Sequence, residues 1–136
     1  MSLQPYAPAS LKLKIARALS GLPGGPVGRE PQPSWPPPTE VQDAILARVI
    51  LLEREGPQLG RPHADTLKGS RYKNMKELRC TANDGAWRIA YAFDPGRKAI
   101  LLAAGDKSGG SEKRFYRRLI AKADARFDRH LAQRRE

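Results

Sequence analysis

Proline limits what this chain can become more than any other residue. Nine of its twelve prolines precede residue 40. The run GLPGGPVGREPQPSWPPP, Gly21 to Pro38, admits neither a helix nor a central strand, because proline locks φ and has no N–H to donate. It reads as linker-like or disordered. Before it, SLKLKIARAL (Ser10 to Leu19) fits either a short helix or an alternating strand, with the helix preferred. The expected organisation is therefore a Pro/Gly-rich N-terminal extension over 1–38 and one folded domain over 39–136, enough chain for a single core.

The folded part opens at TEVQDAILARVILLEREGP. Thr39 and Gln42 suit a capping box, and Gly56-Pro57 supplies a stop. Val41, Ala44, Ile45, Val49 and Leu52 recur at helical spacing, which leaves Arg48 and Glu55 for solvent. A polar loop, QLGRPHADTLKGSRYK, follows. Three β segments come next: NMKELRC (Asn74 to Cys80), AWRIAYAFD (Ala86 to Asp94) and KAILLAAG (Lys98 to Gly105). TANDG and PGR separate them as hairpin turns, which predicts an antiparallel meander. A last helix begins near Ser111, with Phe115, Leu119, Ala123, Phe127 and Leu131 along one face. Helix, three-strand meander and C-terminal helix make an α+β arrangement.

A formal charge of +11, from 25 Lys and Arg against 14 Asp and Glu, favours an anionic partner, with nucleic acid ahead of a membrane surface or an acidic protein. No apolar run is long enough for a membrane span, and no secretory leader is legible, so a cytoplasmic protein is expected. Cys80 is the single cysteine, and with His63 and His130 it forms no zinc-site spacing, so neither a metal nor a cofactor is expected.

On the middle strand Arg88 alternates away from Trp87, Ile89, Tyr91 and Phe93, onto a face it shares with Ala90 and Ala92. A charge on that small-residue face suggests an open, wet surface. Arg79 can reach the same face across the TANDG hairpin, and Lys107 leaves the third strand beside them. Three cations converging there suit phosphate, Arg through its planar fork and Lys as a compact charge. Tyr116, among Arg114, Arg117 and Arg118 on the first turn of the last helix, can stack on a base or, with a lowered pKa, take a proton. Against this stands a plainer reading, in which Arg79 and Arg88 are exposed strand residues paired with Glu77 or Asp84 and the basic helix is a solvated face. His63 lacks a legible nucleophile or orienting acid.

From about Thr39 onward the chain resembles the RelE/HigB-type toxins of bacterial toxin–antitoxin modules, in particular the phage-derived HigB-like branch. The resemblance rests on LLEREGPQLGRPHADTLKGSRYKNMKELR, WRIAYAFDPGRKAILLAAGDKSGGSEKRFY and AKADARFDRHL, in that order. It implies a RelE-like α+β fold and a ribosome-dependent mRNA endonuclease, in which a 2′-hydroxyl attacks the adjacent phosphate without metal. It implies that Arg79, Arg88 and Lys107 hold that phosphate while Tyr116 assists, with Lys76, Lys113, Arg114, Arg117 and Arg118 binding RNA. A helix-turn-helix antitoxin, the ribosome and messenger RNA are the implied partners. The chain departs from the pattern at Met75 and Glu77, where some members carry paired lysines, and over residues 1–38, which show no opening strand and helix. The alternatives are a ParE-like inhibitor of DNA gyrase and a catalytically inactive nucleic-acid-binding remnant.

Overall fold

A computed structural model describes residues 38–134. The extension over 1–37, including the segment from Ser10 to Leu19, lies outside the described residues. Helix α1 spans Thr39–Glu55 and ends at Gly56, whose φ of 65° permits its N–H to close back on the Leu52 carbonyl. Pro57 then opens a single 3-10 turn, Gly56–Gln58. The expected capping box does not form. Pro38 occupies the cap position, and its carbonyl accepts from the N–H groups of both Val41 and Gln42 at 3.0 Å. Thr39 is thereby the first helical residue.

Among the described residues the sheet has four antiparallel strands, one more than the periodicity revealed. They are β1 (Ala64–Thr66), β2 (Lys76–Ala82), β3 (Gly85–Phe93) and β4 (Ala99–Asp106), side by side in that order. β1 lies within the segment expected to be loop. Its three residues are too few for an alternation to be read, and only pairing with Leu78, Glu77 and Lys76 makes them a strand. The β2–β3 hairpin closes through Asn83 and Asp84, both at positive φ (49° and 60°), the two-residue turn that matches strand twist. Helix α2, Glu112–Arg134, completes the fold.

One helix covers each face of the sheet. Val41, Ile45, Val49 and Leu52 of α1 pack with Leu78, Cys80, Trp87, Ile89 and Tyr91. Phe115, Leu119, Ala123 and Phe127 of α2 pack with Ala90, Ala92 and Leu102 on the other side. The small-residue face is therefore not open and wet as expected. Ala90 and Ala92 are fully buried, their size letting α2 lie close to the sheet, and only the end of that face carrying Arg79 and Arg88 escapes the helix. Arg48 also departs from expectation. It is half-buried, and its Nε donates to the Arg79 carbonyl at 3.1 Å, fastening α1 to β2.

Candidate functional site

A cleft of about 400 Å³ opens where β1, β2, the β4–α2 loop and the first turn of α2 meet. Arg79, Lys107 and Tyr116 line it together with three carboxylates, Asp65, Glu77 and Glu112. The hairpin register places Arg79 directly opposite Arg88. Arg88 stands behind the cleft wall, its side chain 13% exposed and its Nε 3.8 Å from Glu77 Oε1. All four residues implied to act on phosphate thus gather at one end of the sheet.

Local structure fixes each of them. Lys107 is not on a loose tether, although glycines surround it. Its own N–H donates to the Ala86 carbonyl at 2.9 Å. Asp106 beside it accepts from the Ala86 and Ser108 N–H groups at 3.0 and 2.9 Å. Tyr116 follows from helical geometry, since α2 starts where Ser111 accepts from the Arg114 and Phe115 N–H groups, and Phe115 and Leu119 are held in the core.

The residue that sequence reasoning undervalued is Glu77, 3% exposed. Its Oε2 accepts from Arg79 Nε at 3.0 Å and its Oε1 from the Tyr116 hydroxyl at 2.8 Å. The plainer reading foresaw a pairing of Arg79 with Glu77, but as a solvent-exposed contact. Instead Arg79 is 34% exposed, and its Nη2 meets Asp65 at 3.2 Å. The available signal was Glu77 as the single acidic residue of β2 and β3, two positions from Arg79 and hence on the same face.

Charges in the cleft are already partly matched. Burial works against the Arg79 guanidinium, yet Glu77 and then Asp65 outweigh it and hold its pKa above the usual value. Lys107 pairs with Glu112 across the cleft mouth, and that bond draws the Glu112 carboxyl below its ordinary range. For Tyr116, burial first and the bond to Glu77 second push the phenol up to about 12. The lowered value that would make it a base is the reverse of what this environment produces.

Of the RNA-binding candidates, Lys113, Arg114, Arg117 and Arg118 lie exposed on the first turns of α2, beside the cleft. Lys76 does not join them. It lies on the opposite face of β2 from Glu77, and its Nζ donates to the Pro57 carbonyl at 3.1 Å. His63 contributes only its backbone to the site, its carbonyl accepting the Arg79 N–H at 2.8 Å. Cys80 is buried in the core against α1, which pushes its thiol pKa up. Among the described residues no cluster of His, Cys, Asp and Glu could hold a metal ion, and no helix is long and apolar enough to cross a membrane.

Comparison with known proteins finds relatives of this sequence. Residues 37–128 match the family described as phage-derived protein, Gp49-like. HigB2, a candidate toxin of Mycobacterium tuberculosis, is 48% identical over 95 residues, covering 69% of this chain and 47% of its own length. The match thus spans about half of that relative. HigB3, a second candidate toxin of the same organism, is 47% identical over 89 residues, 65% of this chain and 75% of its own. No solved structure matches.

Proposed function

Because the chain belongs to the phage-derived Gp49-like family of RelE/HigB-type toxins, we propose that it is the toxin of a type II toxin–antitoxin module and cuts messenger RNA on the ribosome. The observation that supports this most is the gathering of Arg79, Lys107 and Tyr116 around one cleft, with Arg88 behind them. In the reaction, the 2′-hydroxyl oxygen bonds to the neighbouring phosphorus as its proton leaves. The bond from phosphorus to the 5′ oxygen breaks, the 2′ proton passing to water and the 5′ oxygen taking one up from water, giving a cyclic phosphate and a free 5′-hydroxyl. Negative charge grows on the phosphoryl oxygens, and preplaced cations stabilise it where water is partly excluded. Arg79 and Lys107 take that role directly, and Arg88 adds to the positive field from behind. Tyr116, its one hydroxyl hydrogen given to Glu77, serves as a platform on which a base can stack. The exposed cations from Lys113 to Arg118 suit the phosphate backbone of ribosomal or messenger RNA. A helix-turn-helix antitoxin is the cognate partner in this reading, and the cytoplasm the place of action.

The test is primer extension on a defined messenger RNA in a purified translation system, with and without ribosomes, using wild type, Arg79→Ala and Lys107→Ala. Ends within A-site codons should appear only with ribosomes, and each variant should slow cutting roughly 100- to 1,000-fold, the usual loss for one transition-state donor. Equal cutting without ribosomes overturns ribosome dependence. Absence of cutting by the wild type overturns the nuclease reading and makes gyrase inhibition the next assay.

A further inference from the structure

Arg79 and Arg88 face each other directly across β2 and β3. Like charges in that position repel, and here both are partly withdrawn from water, so something must offset them. Glu77 occupies the matching place. The register sets it opposite Ala90, two residues from Arg79 and diagonal to Arg88, where the alanine methyl leaves room for a ring arriving from α2. One carboxylate then touches three of the four groups gathered for phosphate: Arg79 at 3.0 Å, Tyr116 at 2.8 Å and Arg88 at 3.8 Å.

A general base must contact the hydroxyl it deprotonates. Both oxygens of Glu77 are already engaged by protein donors, and the side chain is 3% exposed. We propose that Glu77 is a positioning residue, which fixes the approach of Arg79 and Tyr116 to the scissile phosphate and does not itself take the 2′-hydroxyl proton. Asp65 accepts from Nη2 of the same guanidinium at 3.2 Å, so two carboxylates brace Arg79 while its remaining N–H groups can turn to an anion in the cleft. A braced donor stabilises developing charge without first having to be ordered.

The proposal rests on the nuclease reading, and its test contains a measurement independent of cutting. In the full chain, Glu77→Gln keeps the shape and removes the charge. Nitrogen-15 NMR of the Arg79 Nε–H group should show a clear loss of order, and titration with inorganic phosphate should show the Arg79 and Lys107 signals responding less cooperatively. On ribosomes, kcat should fall roughly 100-fold, the scale expected of a small misplacement of catalytic groups, with KM changed far less. The acid limb of the pH–kcat profile should stay where it is in the wild type. Glu77→Asp retains the charge with a shorter reach, gives a folded comparison if Glu77→Gln is unstable, and should fall between the two. Disappearance of the acid limb in Glu77→Gln would make Glu77 the base and overturn the proposal, as would an Arg79 Nε–H as ordered as in the wild type. If the wild type does not cut at all, the nuclease reading fails, while the Arg79 signal still decides whether Glu77 positions it.

Discussion

Removing the Tyr116 hydroxyl tests the wiring of the site with little change of shape. Tyr116→Phe keeps the ring, which packs edge-on against Phe115 at 5.3 Å between centroids, and deletes the 2.8 Å bond to Glu77. Glu77 Oε1 is then left with Arg88 Nε at 3.8 Å, beyond hydrogen-bond range. A hydrogen bond to a charged group is worth about 1.5–3 kcal/mol. The rise of the phenol from 10.0 to about 12 comes first from burial and only second from this bond, so the bond accounts for part of it, and solvent at the half-buried ring screens the contact further. We expect a destabilisation of about 1.5–2 kcal/mol in urea titrations at pH 7, the lower half of the hydrogen-bond range. The pH dependence gives a sharper check. A group whose pKa is raised in the folded state contributes fully below its unfolded value and loses that contribution as pH rises through the folded one. The stability difference between wild type and Tyr116→Phe should therefore be constant below pH 10.0 and shrink as pH approaches about 12. Tyr91, also pushed up to about 12 by burial, titrates in both proteins and cancels in the difference. A variant as stable as the wild type at pH 7, or a difference that does not shrink in that window, would refute the reasoning.

Glu112→Gln removes the carboxylate held by Lys107 and should raise affinity for inorganic phosphate roughly two- to fivefold, the usual scale of an exposed ion pair, as read from the Lys107 NMR signal. The advantage should fade at acid pH, where the wild-type carboxyl is protonated too. Gly85→Ala places a methyl 2.9 Å from Asp106 Oδ2 and 3.2 Å from the Ala82 carbonyl. It should cost about 1–3 kcal/mol in urea titrations and, by pushing Asp106 aside, slow cutting through a loosened Lys107. Asp94, buried in the β3–β4 turn, is held below the usual carboxylate range first by His130 and then by the Lys98 N–H. Its contribution is present above pH 3.8 and lost as pH falls through the lower folded value. Asp94→Asn should thus melt earlier than the wild type at neutral pH, with the two melting curves converging in acid.

The elements with long, repeated patterns were legible from residues alone. Both helices, the three long strands within about two residues and the Asn83-Asp84 hairpin follow from local preference and from periodicity, which act over a few neighbouring positions. The pieces that escaped are those set by distant partners. β1 is a strand only because β2 lies beside it. The capping box failed because the carbonyl of Pro38 reached the free N–H groups first, and Arg48 left solvent because the Arg79 carbonyl was within its reach.

The same division runs through the site. Residue types and spacing along the chain were sufficient to bring Arg79, Arg88 and Lys107 to one end of a sheet, since strand alternation and hairpin register decide which side chains share a face, whereas Tyr116 joined them only through the family resemblance. They could not say that α2 seals the rest of that face over Ala90 and Ala92, because small residues suit an open surface and a close helix equally well. Nor could they give Glu77 its place. A carboxylate two residues from an arginine is a solvated pair on a bare strand, and it becomes a buried brace only when a helix lays Tyr116 over it and a third strand brings Asp65 alongside. Burial sets the strength of such contacts, and burial belongs to the assembled molecule.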